Sequence, residues 1–128
     1  MEQFADSGMR HLFVYGSLVD PRCLDGVLGH KHLGERLEAR LAGYRRVTSP
    51  TYGYPFLVVE PGSRVDGVLL MDLSPYDFQV LDRYEDIASG VYRREPVQVE
   101  AWGCGARPIY VQADVYVAGP VLVASTTS

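Results

Sequence analysis

The chain has 128 residues, of which 47% are hydrophobic and 22% charged. That is enough for one domain around one core and too apolar for wholesale disorder. The formal net charge of −4 argues against a nucleic-acid binder, and the two widely separated cysteines, Cys23 and Cys104, argue against a disulfide framework.

The first ten residues carry two acids and no apolar run, unlike a signal peptide, and no apolar stretch is long enough to span a bilayer. The expectation is a cytoplasmic protein with neither nucleic acid nor membrane as partner. Residues 1–10 are expected to fray, residues 11–120 to form a single domain, and residues 121–128 to be a C-terminal tail.

His11–Tyr15 is a compact apolar run ended by Gly16, the pattern of a buried strand. Asp20-Pro21 starts a short helix through Leu24 and Leu28 to a break at Gly29. In Leu33–Val47, Leu33, Leu37 and Leu41 recur at helical spacing. Leu37, Ala39 and Leu41 also alternate with charges, and Gly34 and Gly43 weaken a long helix, so a strand is expected. Tyr54–Glu60 and Arg64–Asp72 read as a hairpin around Pro61-Gly62-Ser63. Ser74, Pro75 and Asp77 have the spacing of a helix cap, with Phe78 and Leu81 as the buried stripe of a helix reaching about Tyr84. Tyr92–Trp102 and Arg107–Ala118 read as two strands around a Gly103–Gly105 turn. The sum is a largely antiparallel sheet or barrel with few helices.

Two places could carry chemistry. Asp82, Glu85 and Asp86 fall at the end of the helix that follows Ser74, where the macrodipole prefers cations. Mutual repulsion and the dipole would raise a carboxylate pKa there towards that of a base working near neutrality. A solvated acidic helix end has the same pattern. The second place is Val14-Tyr15-Gly16-Ser17-Leu18, where a strand ends in a glycine and then a hydroxyl residue. Such a turn can offer main-chain N–H groups to an anion, or be an ordinary strand end. It does not fit the patterns of dinucleotide or phosphate loops, or of a serine-hydrolase elbow. His30 and His32 form an H-x-H pair without further ligands at metal spacing. Ser17 or Cys23 as a nucleophile would need a base that nothing local supplies. Arg45-Arg46 and Arg93-Arg94 read as solvated strand ends, and Trp102, Tyr110 and Tyr116 as core or barrel-wall residues.

FVYGSL, Gly43-Tyr44-Arg45, Tyr54-Pro55, Val65-Asp66-Gly67 and Leu81-Asp82-Arg83-Tyr84-Glu85 followed by Tyr92-Arg93 occur in that order. Taken together they resemble the blocks of the gamma-glutamylcyclotransferase-like family, which includes gamma-glutamylamine cyclotransferases and avirulence-induced-gene-like proteins. The resemblance runs from about His11 to Tyr116. It implies an α+β fold, a compact mixed and mainly antiparallel β-barrel with a few short flanking helices. It further implies a γ-glutamyl small-molecule substrate cyclised to 5-oxoproline, no cofactor or metal, and Glu85 as the catalytic acid–base residue. Tyr15, Gly16, Ser17 and Leu18 would bind the substrate. Asp86 departs from the glycine that many relatives carry after the glutamate. A non-catalytic binder of a small metabolite and a Ser17-dependent amidase or acyltransferase are the alternatives. The short chain leans towards γ-glutamylamines among the family's substrates.

Overall fold

The computed structural model describes residues 9–103, 105 and 107–125. The expected fraying of the first eight residues, the Cys104 thiol and the last three residues of the tail lie outside them.

Five strands form the frame: β1 (Arg10–Val14), β2 (Arg36–Thr48), β3 (Pro55–Leu73), β4 (Tyr92–Trp102) and β5 (Ile109–Ala118). They close into a barrel in the order β1-β3-β2-β4-β5, antiparallel throughout except for the parallel pair of β1 with β5. Closure is loose: β1 meets β5 at Leu12↔Asp114 and Phe13↔Val115, and β2 meets β4 only from Glu38↔Trp102 to Arg40↔Glu100. Three helices flank the barrel: α1 (Pro21–Leu28), α2 (Pro75–Tyr84) and α3 (Pro120–Ser125).

β1 shows how the pattern becomes a core. Leu12, Phe13 and Val14 are almost fully buried, because alternate side chains of this strand enter different apolar clusters. Phe13 points into the barrel with Leu41, Leu69, Val99 and Val115. Leu12 and Val14 pack outside it, with Leu24 and Leu28 of α1 and Phe78 and Leu81 of α2. The short helix α1 starts on Asp20, whose carboxylate accepts from the Arg22 N–H at 2.9 Å, and stops at Gly29 with φ 81.

Two expectations need correction. Pro61-Gly62-Ser63 is no hairpin, since residues on both sides of it belong to β3 and pair with the same strand β2. Tyr44 faces Val59 and Ala42 faces Arg64, so Gly43 alone stands opposite Glu60–Ser63. This is a wide bulge made by Gly43 and Gly62, with φ of 88 and 90, and braced by Glu60, which accepts from both Ser63 and Arg45. The true reversal between β2 and β3 is Ser49–Tyr54, where Gly53 has φ 74 and its N–H donates to the Ser49 carbonyl. The second correction concerns the tail: Pro120–Ser125 form α3, anchored by Leu122, which has no exposed surface and packs with Phe56 and Ala118. Tyr110 is a barrel-wall residue on β5 with its ring mostly exposed.

Gly67 on β3 lies where β1 crosses closest. A Cβ there would stand 2.3 Å from the Val14 carbonyl oxygen and 2.8 Å from Phe13 Cζ. Gly67→Ala is therefore expected to push β1 off β3 and cost about 1–3 kcal/mol. Urea unfolding checks it: the midpoint should fall with the slope unchanged, and an unmoved midpoint would mean the strands yield freely.

Candidate active site

Helix α2 is fixed at both ends. At its start the Ser74 hydroxyl accepts from the Asp77 N–H at 3.0 Å, and the Asp77 carboxylate accepts from the Ser74 N–H at 3.1 Å. Such a cap is worth about 0.5–2 kcal/mol. His30 Nε2 lies 2.7 Å from the other Asp77 oxygen and ties the end of α1 to this cap. At the far end the Ile87 N–H donates to the Asp82 carbonyl and the Asp86 N–H to the Arg83 carbonyl, both at 3.1 Å. This is a Schellman closure in which Asp86 takes the left-handed position, with φ 57. Glycine is the usual occupant of such a position, and aspartate is one of the few other residues that reach it easily. Ile87 then packs beneath the helix with the cluster that holds Leu81.

This geometry gives the three carboxylates of the acidic end different surroundings. Asp82 turns to the barrel, where it accepts from the Tyr116 hydroxyl at 2.7 Å and lies 3.6 Å from Arg94 Nε. Glu85 and Asp86 both line the cavity, Glu85 partly buried and Asp86 exposed. Burial pushes the Glu85 carboxyl up from 4.5 to about 7. Burial is the cause, rather than the repulsion within the acidic group that the sequence suggested.

The loop after β1 faces the same space. Ser17–Val19 form a single 3-10 turn, closed by the Val19 N–H on the Gly16 carbonyl and the Asp20 N–H on the Ser17 carbonyl. The main-chain N–H groups of Gly16, Ser17 and Leu18 have no acceptor among the described residues. Ser17 is exposed, with Oγ 3.3 Å from the Tyr84 hydroxyl. The Leu18 side chain turns away into the cluster under the helices, so only its main chain can meet a ligand. Tyr15 donates its hydroxyl to the Tyr116 carbonyl at 2.6 Å. A cavity of about 1090 Å³ unites this loop with Glu85, and Tyr54, Pro55, Tyr84 and Tyr92 also line it. Tyr92 donates to the Pro55 carbonyl. The Tyr15 and Tyr92 phenols are held above their ordinary range, chiefly by burial and with a contribution from Glu85, so both stay neutral.

A profile of the gamma-glutamyl cyclotransferase, AIG2-like family matches residues 12–127. The chain belongs to this family. Among relatives of this cyclotransferase-family chain, a Methanocaldococcus jannaschii protein described as a gamma-glutamylcyclotransferase and putative RNase is 29% identical over 77 residues. That match covers 60% of this chain and 34% of the relative. The chain spans between 34% and 57% of the length of the curated relatives it matches. A crystal structure of an AIG2-like protein from Mus musculus is 26% identical, with a TM-score of 0.65 over 91% of this chain and 83% of that one. A solved gamma-glutamyl cyclotransferase shares the fold at 19% identity, with a TM-score of 0.69 over 85% of this chain and 66% of that one.

The remaining candidates from the sequence lie elsewhere. His30 binds Asp77, His32 Nε2 meets the Met71 carbonyl at 2.7 Å, and His11 Nδ1 accepts from the Asp72 N–H. Cys23 is half-buried against the apolar cluster under the helices. Arg46 and Tyr84 line the cavity although neither was expected to have a site role. Period-two reading from Leu37, Ala39 and Leu41 puts Arg46 outside, and only the bulge at Gly43 reverses the phase.

The Glu85 shift has a consequence for stability. Between about 4.5 and about 7 the folded protein keeps a proton that the unfolded chain has released. Stability therefore falls as pH rises through that window and levels off above it. Glu85→Gln removes this slope, so the variant is expected to exceed the wild type in stability at about pH 8 and to lose that margin near pH 4. Urea unfolding across the range checks this, and a margin independent of pH would contradict burial as the cause.

Proposed function

We propose that this chain is a γ-glutamylcyclotransferase that converts a γ-glutamyl compound to 5-oxoproline and releases the attached amine. The observation that carries the reading is the meeting, in one cavity, of Glu85, held near pKa 7, with the unoccupied amides of the Tyr15–Leu18 loop. Family membership supports it independently.

The α-amine of the substrate is mostly protonated at neutral pH and cannot attack in that form. Glu85 in its ionised form removes the proton. The amine nitrogen then bonds to the γ-carbonyl carbon, and Glu85 returns its proton to the departing nitrogen as the bond from that carbon to it breaks. The ring nitrogen sheds its remaining extra proton to the Glu85 carboxylate so regenerated, which passes it to the released amine, leaving a neutral lactam and an ammonium. No acyl-enzyme forms. Holding the glutamyl chain folded so that amine and carbonyl meet supplies up to about 7–11 kcal/mol of the barrier reduction. The amides of Gly16, Ser17 and Leu18 hold the α-carboxylate of the glutamyl unit, while Tyr15 and Tyr92 wall the site as neutral phenols and keep water from it.

Ser17 is a poor nucleophile in this setting, since its hydroxyl neighbour is Tyr84 rather than a histidine or carboxylate. All three histidines of the chain are engaged outside the cavity lining.

The test is 5-oxoproline release from a panel of γ-glutamyl compounds. Glu85→Gln keeps the shape but cannot carry the proton, so turnover at saturation is expected to drop by at least about 10²–10⁴-fold. The wild-type rate should rise with pH through about 7 as Glu85 ionises. Ser17→Ala should retain measurable turnover. Near-wild-type cyclisation by Glu85→Gln would sink the mechanism, and an adduct trapped on Ser17 would replace it with acyl transfer.

A further inference from the structure

Arg46 occupies an unusual place for a cation. It pairs directly with Leu57 of β3, so it lies on the face of β2 that carries the barrel core, and Leu57 itself is buried in that core. A charged side chain on an inner barrel face needs either a partner or an opening to water. Arg46 has the opening: it is exposed and lines the same cavity as Glu85. The cavity's other lining cation, Arg40, is held by Asp66 at 2.9 Å, whereas Arg46 makes no ion pair or side-chain hydrogen bond with a described residue.

Its surroundings have a definite chemistry. The end of the β2–β3 hairpin beside it carries the exposed, stacked pair Tyr52 and Tyr54, with ring centroids 5.9 Å apart. Tyr54 and the half-exposed Tyr84 complete this rim of the cavity. Its positive field also reaches Tyr15, opposing the burial that holds that phenol neutral. The rim is thus aromatic with a single free guanidinium, and guanidinium groups recognise carboxylates through paired N–H donors.

On the cyclisation reading, the α-carboxylate of the glutamyl unit is already taken by the loop amides. A γ-glutamyl amino acid brings a second carboxylate, two bonds from the departing nitrogen. A γ-glutamyl alkylamine brings none. We propose that Arg46 binds a carboxylate on the leaving group, making this enzyme selective for γ-glutamyl amino acids or peptides over γ-glutamyl alkylamines. This rests on the cyclisation reading and narrows it, against the lean that chain length alone gave towards γ-glutamylamines.

The test compares γ-glutamylalanine with γ-glutamylalaninamide, which differ only in that carboxylate. Release of 5-oxoproline is measured for the wild type, Arg46→Ala, Arg46→Lys and Arg46→Glu. Affinities for both compounds are measured by calorimetry in the Glu85→Gln background, with and without each Arg46 change. The wild type is expected to prefer the free acid. Arg46→Ala should lower the acid-to-amide ratio of kcat/KM by about tenfold or more, the scale of a hydrogen bond to a charged group. Arg46→Lys should keep part of the preference and Arg46→Glu should invert it. An unchanged ratio overturns the proposal, whether both substrates suffer equally or neither does; equal loss would assign Arg46 to the glutamyl carboxylate. If the wild type cyclises neither compound, the cyclisation reading fails and the calorimetric ratio alone decides for or against Arg46. Binding of neither compound overturns both. Because Arg46 is exposed, its replacement opens no cavity, and circular dichroism confirms that each variant is folded.

Discussion

The double pairing of β1 is the constraint on which the rest of the structure depends. This five-residue strand pairs antiparallel with β3 on one edge and, at Leu12 and Phe13, parallel with β5 on the other, and this pairing closes the barrel. Few hydrogen bonds can form along so short a strand, so its hold comes mainly from Leu12, Phe13 and Val14, which are buried on both of its faces. Gly67 lets β1 lie close against β3. The chain leaves β1 directly into Tyr15 and Gly16, so the position of the loop at the site follows from the same closure.

Opposite that loop, Glu85 is held by a helix whose ends are both locked and whose last turn is fastened to the barrel. Tyr116 and Arg94 hold Asp82, and Arg94 also lies over the Phe78 ring, with its guanidinium carbon 4.6 Å from the centroid. Asp114 beneath them is buried and pairs with Arg10 at 2.8 Å. Charges removed from water in this way contribute little net stability, yet removing one partner strands the other at considerable cost. They act as registration: β4, through Arg94, and β5, through Tyr116, are tied to the helix that carries the candidate base.

Much of this was legible in the sequence, and the exceptions have physical reasons. The cap of α2 was readable because Ser74, Pro75 and Asp77 act within one turn, as were Gly29 as the stop of α1 and the buried character of β1. Pro61-Gly62-Ser63 misled because a bulge and a hairpin use the same turn residues. Only the partner strand tells them apart, and that strand is distant in sequence. Arg46 was hidden for a related reason, since Gly43 shifts the alternation by one residue and brings the next arginine to the inner face. The acidic helix end drew the sequence reading to Glu85, which lines the cavity. Its raised pKa comes from tertiary burial, which no local pattern encodes.

Asp86 illustrates how a backbone requirement can leave chemistry adjustable. Its left-handed conformation suits glycine, asparagine and aspartate and few other residues. Those three differ in side-chain charge and hydrogen bonding while accepting the same path of the chain. Exchange among those three at this position therefore changes the charge at the helix end while the path of the chain is kept. The helix terminus behaves as a replaceable socket: lineages can exchange what is plugged into it without retooling the helix that supports it.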